Sequence, residues 1–172
     1  MKIIALDMDG VLADVYPVFL SLHSTEVGRQ ITIEDVMGVP ERDAFPHILK
    51  YVNRQGFFRN APLMQDATEF VRKLNDSYKL FIVSAATEFP LSLAEKQAWL
   101  QEHFSFISWK QMVFCGSKEI IRADIMIDDH FKNLDIFPGK TYLFTQPHNQ
   151  LANPGKHTRV NNWKEIGEYL LA

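Results

Sequence analysis

The sequence predicts an α/β fold, a doubly wound parallel sheet with a small helical cap inserted after the first strand. Short apolar runs bounded by polar or turn residues are typical of strands buried on both faces of a parallel sheet. Amphipathic segments alternate with most of these runs, as expected when helices cover both faces. After the first run, roughly fifty residues show helical periodicity and no convincing strand, which is too much chain for a plain crossover. An inserted helical cap accounts for that length.

Each strand is predicted from a short run in which nearly every residue is apolar. The predicted strands are Ile3–Leu6, Leu80–Val83, Met112–Phe114, Ile125–Ile127 and Thr141–Phe144. The segments that follow them carry apolar residues at helical spacing. These segments predict helices at Ala67–Leu74, Leu91–His103, Phe131–Ile136 and Trp163–Leu171, with a short helical turn at Lys118–Arg122.

The inserted segment divides the chain into a core and a cap. Val15–Val27 and Asp43–Arg54 are predicted as the main helices of the insertion. The domain boundaries that follow are residues 1–14 and 66–172 for the α/β catalytic core, and residues 15–65 for the small helical cap. Residues 147–155 are predicted to form a polar surface loop.

Composition narrows the class of protein. The chain has 172 residues, of which 47% are hydrophobic and 23% charged, as in an ordinary globular protein. Its net charge of -3 favours no polymeric nucleic acid as a partner. Its single cysteine, Cys115, excludes an intrachain disulfide, and no apolar segment approaches membrane-spanning length. We expect a cytoplasmic protein without a membrane partner, and no sequence feature indicates an oligomeric state.

Polar residues follow four of the predicted strands, at the end where ligands bind in a doubly wound sheet. They are Asp7 and Asp9 after the first strand, Ser84 after the second, Lys118 after the third, and Asp128 and Asp129 after the fourth. The topology therefore brings four carboxylates, one hydroxyl and one ammonium to one edge. Each motif alone also has a structural interpretation, as a turn, a helix cap or a solvated charge. Their joint order along the chain favours a catalytic site.

Clustered carboxylates repel one another and need a compensating cation. Oxygen-only ligation suits Mg²⁺, which takes one or two carboxylates together with substrate phosphate. His130 adjoins the cluster, but a lone histidine does not indicate a zinc site, and it is interpreted as a surface or helix-start residue.

The spacing of Asp7 and Asp9 predicts phosphoryl transfer. Alternate residues of a strand point the same way, so both carboxylates can face one ligand. Asp7 can attack phosphorus, while Asp9 protonates the leaving alcohol and later activates water. Gly10 allows a tight turn close to the phosphate. Ser84 and Lys118 can stabilise the phosphoryl oxygens, where charge accumulates in the transition state.

This ordered set resembles the haloacid dehalogenase-like hydrolase superfamily, whose core is a Rossmann-like parallel sheet. The segment from Asp7 to Asp14 resembles the opening of the 5'(3')-deoxyribonucleotidase family. Further similar segments are Gly56–Asn60, Glu95–Leu100 and Arg122–Asp129. The resemblance implies a magnesium-dependent phosphatase that acts on deoxyribonucleoside monophosphates through an aspartyl-phosphate. It implies Asp7 as nucleophile and Asp9 as acid/base.

The same resemblance implies the other site residues. Mg²⁺ would be held by the Asp7 carboxylate, the Asp9 backbone carbonyl and Asp129, with Asp128 supporting them. Ser84, Ala85 and Lys118 would bind phosphate, and Phe57, Phe58 and Arg59 would line the nucleoside side of the pocket. Those residue assignments come from the family motifs that this sequence matches.

Two departures from the family pattern bear on the substrate. Animal members carry Thr-Ser-Pro where this chain has Ser84-Ala85-Ala86, and an arginine where it has Gly116. The aromatic pair Phe57 and Phe58 is also compatible with a hydrophobic plug between cap and core. Two alternatives therefore stay open: a phosphatase for another small phosphomonoester, and a non-catalytic phosphate-binding module of the same fold.

Overall fold

The computed structural model describes residues 1–172 and contains one parallel sheet of six strands in the order β3-β2-β1-β4-β5-β6. The strands are β1 (Ile3–Leu6), β2 (Lys79–Ser84), β3 (Met112–Phe114), β4 (Ile125–Asp128), β5 (Lys140–Phe144) and β6 (Thr158–Val160). All five neighbouring pairs run parallel, which confirms the predicted fold class. Because the order reverses at β1, the carboxyl ends of β1 and β4 flank the crevice where such sheets bind ligands.

Helices cover both faces of the sheet. The helices of the core are α5 (Ala67–Ser77), α6 (Pro90–His103), α7 (Phe131–Leu134) and α8 (Trp163–Leu170). Alternate residues of the central strands enter two separate apolar clusters: Leu6 packs with Leu74, Trp99 and Trp163, whereas Ala5 packs with Leu134. This alternation is the period-two pattern of a strand buried on both sides.

The residues between β1 and α5 form four short helices. They are α1 (Tyr16–Val27), α2 (Ile33–Val36), α3 (Glu41–Ala44) and α4 (Ile48–Val52). The single helix predicted at Asp43–Arg54 is therefore wrong. Pro46 lies inside that range and disfavours the helical conformation of the preceding residue, so Phe45 has φ -127° and ψ 81° and the helix is interrupted.

The predictions for the carboxyl-terminal side are corrected at three places. The sequence did not predict β6, whose three residues contain only one apolar side chain and carry too short a pattern. The helix predicted at Phe131–Ile136 ends at Leu134, where the chain tightens before Pro138. The predicted surface loop 147–155 is only partly exposed, because Asn149 is 1% exposed and faces inward.

No helix in the chain combines the length and the apolar character that crossing a bilayer requires. The longest helix, α6, has 14 residues and carries polar side chains along its length.

Candidate active site

The loop after β1 presents two acidic side chains at the carboxyl edge of the sheet. Asp7 continues the strand pairing, since its N–H donates to the Ile127 carbonyl at 2.9 Å. Met8, between the two aspartates, is fully buried, so Asp7 and Asp9 face the opposite way. Gly10 then adopts a φ of +73°, which lets the chain turn back on Met8.

Lys118 lies between two carboxylates beneath this loop. Its Nζ is 2.6 Å from Asp7 Oδ1 and 2.6 Å from Asp128 Oδ2, and the residue is 5% exposed. Asp128 also accepts hydrogen bonds from the His130 N–H at 2.9 Å and from Asn133 Nδ2 at 3.0 Å. The hydrogen-bonding capacity of Asp128 is thus largely used within the protein.

Burial and neighbouring charges shift the pKa values of these carboxyl groups in different directions. Burial and the negative charge of Asp128 raise the pKa of Asp7 to about 7, even though Lys118 opposes the shift. Burial also works against ionisation of Asp128, but Lys118 and the N–H donors hold its pKa below the usual range. Burial and the neighbouring charge of Asp7 raise the pKa of Asp129 well above its ordinary value. Asp129 therefore lacks compensating positive charge, and the lysine beside Asp7 is shared with Asp128.

A divalent cation would compensate the negative charge of this cluster. Oxygens of Asp7, Asp128 and Asp129 lie within 4.8 Å of one another, all three residues are buried, and Asp129 Oδ1 has no hydrogen-bond partner. The absence of a side chain at Gly10 makes room for this arrangement, because a Cβ there would lie 2.3 Å from Asp129 Oδ2. All-oxygen donors of this kind are suited to hard cations rather than to zinc.

A second buried lysine, Lys96 of α6, lies on the other side of the loop. Its Nζ is 2.5 Å from Asp9 Oδ2 and 3.0 Å from Ser84 Oγ, and it stands 4.4 Å above the ring of Phe58. Sequence reasoning missed this residue. One signal was available: Lys96 shares the buried stripe of α6 with Ser92, Trp99 and Leu100, which lie four, three and four residues from it.

Two stacked histidines flank the acidic cluster. The rings of His130 and His148 lie 4.4 Å apart, and Glu41 of α3 faces both of them. The backbone N–H of His148 donates to the Tyr16 hydroxyl at 3.2 Å. The proton of that hydroxyl is therefore available to the ring nitrogen Nδ1 of His148, 3.1 Å away. His148 Nε2 lies 3.0 Å from the Asp129 carbonyl and therefore carries a proton. Both ring nitrogens of His148 are thus engaged, and His148 links Tyr16 to the backbone of Asp129.

Burial shifts the pKa values of these flanking groups towards their neutral forms. Burial and the neighbouring His148 lower the pKa of His130 to about 3, which keeps its ring neutral near pH 7. Burial, with the negative charge of Asp9, raises the pKa of Glu41 to about 7. The flank therefore adds little net charge to the cluster at neutral pH.

Side chains from the segment that follows β5 bind the backbone around the acidic cluster. Gln146 Nε2 donates to the Gly10 carbonyl at 2.6 Å, and Asn149 Nδ2 donates to the Asp129 carbonyl at 2.8 Å. Arg159 of β6 in turn donates to the Asn149 side-chain oxygen at 3.0 Å. Of these three residues, Asn149 lies in the predicted surface loop 147–155, and Gln146 and Arg159 lie outside it.

A single cavity opens above the acidic edge. Asp7, Asp9, Ser84, Ala85, Lys118 and Asp129 all line it, together with Lys96. Its opposite wall is apolar and is formed by Val15, Phe19, Ile48, Leu49, Val52, Phe57, Phe58 and Phe89. Asp128 lies behind this surface and is fully buried.

The structure does not bring Arg59 to the cavity. The Arg59 guanidinium pairs with Glu102 on the surface, where both side chains are substantially exposed. Only the backbone of Arg59 contributes to the aromatic loop that lines the cavity wall. Phe57 and Phe58 are 3% and 5% exposed and belong both to the main apolar cluster and to that wall.

Several solved structures that share this architecture are haloacid dehalogenase-like hydrolases. A haloacid dehalogenase-like family hydrolase from Streptococcus pneumoniae superposes with a TM-score of 0.68 at 15% identity, covering 98% of each chain. A magnesium-bound hydrolase of the same type from Bacillus subtilis gives a TM-score of 0.62 at 14% identity, covering 99% of each chain. At such identities the likeness concerns the fold.

Sequence relatives are more specific. The model of the family described as "5' nucleotidase, deoxy (Pyrimidine), cytosolic type C protein" matches residues 1–172. A 5'(3')-deoxyribonucleotidase of Bacillus subtilis is 36% identical over 179 residues, covering 99% of both chains. The deoxyribonucleotidase of the Bacillus phage SPbeta matches with the same identity and coverage. The chain thus belongs to the 5'(3')-deoxyribonucleotidase family of the haloacid dehalogenase-like superfamily.

Proposed function

We propose that this protein is a magnesium-dependent phosphomonoesterase that dephosphorylates deoxyribonucleoside monophosphates. The observation that carries the proposal is one cavity with two contrasting walls. Asp7, Asp9 and two buried lysines lie at one wall, and aromatic side chains form the other. Such a cavity suits a substrate with a phosphate at one end and an apolar, planar group at the other. Family membership supports the same substrate class.

In the first step, an Asp7 carboxylate oxygen forms a bond to phosphorus as the bond to the sugar oxygen breaks. Asp9 gives its proton to that leaving oxygen, which departs as the nucleoside hydroxyl. In the second step, Asp9 takes a proton from water, the hydroxide forms a bond to phosphorus, and the Asp7–phosphorus bond breaks. Inorganic phosphate leaves, and both aspartates return to their starting states.

The neighbouring residues stabilise charge during both steps. Lys118, 2.6 Å from Asp7, lies where it can pair with phosphoryl oxygens as their charge grows. Ser84 and the backbone at Ala85 supply hydrogen-bond donors on the opposite side of the loop. Asp7, the Asp9 backbone carbonyl and Asp129 would hold Mg²⁺, which when bound supplies positive charge to phosphoryl oxygens. Asp128 supports this group through its bonds to Lys118 and Asn133.

The leaving nucleoside is proposed to contact the inserted helices. Residues 15–65 would act as a cap, with α1 and α4 above the cavity and the aromatic loop at Phe57 and Phe58 beside it. Phe57 and Phe58 pack edge to face with ring centroids 4.9 Å apart. This arrangement offers an apolar surface to a base, while the charged side chains of Glu41, Arg42, Glu88 and Lys132 also line the cavity.

A substrate panel tests the proposed function. Purified protein with Mg²⁺ is assayed for phosphate release from the four deoxyribonucleoside 5'- and 3'-monophosphates, a ribonucleotide, 2-deoxyribose 5-phosphate and several sugar phosphates. We expect the deoxyribonucleotides to have the highest kcat/KM. Equal turnover of sugar phosphates would favour a phosphatase of other small phosphomonoesters. Absence of phosphate release from every monoester would favour a non-catalytic binding module.

Replacing Lys96 with methionine is expected to lower kcat/KM by about 100-fold, since charge-assisted hydrogen bonds to reacting groups are worth roughly 1.5–3 kcal/mol. Methionine keeps much of the buried stem but removes the ammonium that contacts Asp9 and Ser84. Steady-state kinetics with a deoxyribonucleotide measures the effect. Lys110→Met, at an exposed lysine, is the matched control and should retain full activity. A Lys96→Met variant with wild-type kinetics would contradict this assignment.

Magnesium binding is expected to weaken as the pH falls. Burial raises the pKa of Asp7 to about 7 and that of Asp129 above its ordinary value, so below about pH 7 protons compete with the cation. The raised values also mean that the metal-free folded state holds more protons than the unfolded state, and its stability falls as the pH rises through this range. Mg²⁺ should therefore raise Tm more at pH 8 than at pH 5.5, as measured by calorimetry. An equal shift at both values would contradict the prediction.

A further inference from the structure

We infer that Glu95 of α6 is a positioning residue for the aromatic loop Gly56–Asn60, and that it thereby sets the preference for substrates that carry a base. This inference rests on the proposed function, because it concerns the wall that the nucleoside would contact. Glu95 itself does not line the cavity, and nothing in the reaction chemistry uses its carboxylate.

The contacts of Glu95 are made to main chain only. Its Oε1 accepts a hydrogen bond from the Gly56 N–H at 2.6 Å, and its Oε2 accepts from the N–H groups of Phe58 and Arg59, each at 3.1 Å. None of these three N–H groups donates to a backbone carbonyl. One carboxylate therefore satisfies three donors of the same loop, and a charged acceptor binds such donors more strongly than a neutral one.

The loop has little other hydrogen bonding that would define its position. Its remaining backbone bonds are local: Phe57 N–H donates to the Arg54 carbonyl at 3.1 Å, Asn60 N–H to the Gly56 carbonyl at 3.0 Å, and Ala61 N–H to the Phe58 carbonyl at 3.4 Å. Local bonds give the loop its shape but do not fix its distance from the sheet. The bonds to Glu95 join that shape to a helix of the core.

The same helix also contacts residues of the proposed catalytic site. Lys96, the next residue, contacts Asp9 and Ser84, and Trp99 Nε1 donates to the Ala61 carbonyl at 2.8 Å. The aromatic loop and Asp9, the proposed acid/base, are thus both held by contacts with the same helix, α6. Loss of the Glu95 bonds would let the wall move relative to Asp9, while the contacts of Lys96 would persist.

A purely structural interpretation of Glu95 predicts something different from a positioning role. If Glu95 only stabilised the fold, its removal would lower activity towards every substrate to the same degree. A positioning role predicts a loss confined to substrates with a base. Thymidine 5'-monophosphate and 2-deoxyribose 5-phosphate form a suitable pair, because they share the reacting phosphate and the sugar and differ in the base.

The test compares Glu95→Ala and Glu95→Gln with the wild-type protein on these two substrates with Mg²⁺. Stacking of a base on aromatic side chains is worth roughly 1–3 kcal/mol, so partial loss of the wall should cost about 10-fold. We expect Glu95→Ala to lower the ratio of kcat/KM for thymidine 5'-monophosphate to that for 2-deoxyribose 5-phosphate by about 10-fold. Most of that loss should appear in KM. Glu95→Gln, with one acceptor oxygen, should fall between Glu95→Ala and wild type.

Glu102→Ala is the matched control, since Glu102 lies on the same helix and contacts the same loop only through the exposed Arg59 side chain. Its substrate ratio should stay at the wild-type value. Amide hydrogen exchange by NMR gives a readout independent of activity. In Glu95→Ala, exchange should accelerate at Gly56, Phe58 and Arg59, whereas Phe57 and Asn60 keep their backbone acceptors.

The outcomes separate the two proposals. An unchanged substrate ratio, or an equal loss on both substrates, would overturn the positioning role of Glu95. Unchanged exchange at Gly56, Phe58 and Arg59 would overturn it as well. A wild-type protein that does not prefer the nucleotide over 2-deoxyribose 5-phosphate would instead refute the nucleotide function, and the exchange measurement would still decide whether Glu95 holds the loop.

Discussion

Replacing Asp7 with asparagine is expected to lower kcat by about 10⁴-fold or more, the scale seen when a catalytic nucleophile is removed. Asparagine has nearly the same shape, and its side-chain oxygen can still accept the Met8 N–H that Asp7 Oδ1 accepts at 2.7 Å. It cannot form the aspartyl-phosphate at a useful rate. Steady-state phosphate release from a deoxyribonucleotide measures the loss.

The fold of Asp7→Asn should be retained, because Lys118 keeps its bond to Asp128. Asp76→Asn, at an exposed aspartate of α5, is the control for the substitution itself and should have wild-type activity. Acid quenching during turnover of a ³²P-labelled substrate should trap label on the wild-type protein and none on Asp7→Asn. A labelled Asp7→Asn protein would show that another residue is the nucleophile.

Gly10→Ala is expected to weaken Mg²⁺ binding by about 100-fold, at the upper end of what loss of ligand orientation costs. The added Cβ would lie 2.3 Å from Asp129 Oδ2 and 2.8 Å from its Cγ, which is closer than side-chain contacts allow. Asp129 must therefore turn away from the position beside Asp7. Isothermal titration with Mg²⁺ and the Mg²⁺ dependence of kcat measure the effect.

Gly28→Ala is the control for the backbone component of this change. Gly28 has φ +70°, close to the +73° of Gly10, and nothing lies within 4 Å of the Cβ that alanine would add. In both variants the alanine is held in the left-handed backbone conformation. This costs roughly 1–2 kcal/mol of stability and should be seen as a lower Tm. Only Gly10→Ala should lose Mg²⁺ affinity. Equal Mg²⁺ affinity in the two variants would show that Asp129 is not where the cation binds.

Local pattern was sufficient for the sheet and for its acidic edge. The strands from β1 to β5 are nearly continuous apolar runs, and a parallel sheet places their carboxyl ends together whatever the details of packing. Asp7, Asp9 and Asp129 could therefore be assembled from sequence position alone. Pro46 was also a clear local signal for a break in the helix, and the prediction of one helix across it did not take that signal into account.

The remaining site residues depend on contacts between distant segments. Lys96 reaches Asp9 from 87 residues away, and Gln146 reaches Gly10 from 136 residues away. Lys96 lies within a helix, so no rule based on strand ends identifies it, whereas Gln146 follows the predicted strand Thr141–Phe144 but was not singled out there. Glu41 and Glu95 act across the junction between the inserted helices and the core. Their roles follow from how the two parts pack, which periodicity along one segment does not determine.

The dependence of the acidic loop on distant side chains has a consequence during synthesis. Gln146 bonds the loop at Gly10, Asn149 bonds the carbonyl of Asp129, and Trp163 Nε1 donates to the Val11 carbonyl at 3.0 Å. The proposed nucleophile leaves the ribosome well before these partners do. A nascent chain stalled before Gln146 should thus be catalytically silent. Phosphatase activity should appear only after Trp163 has emerged.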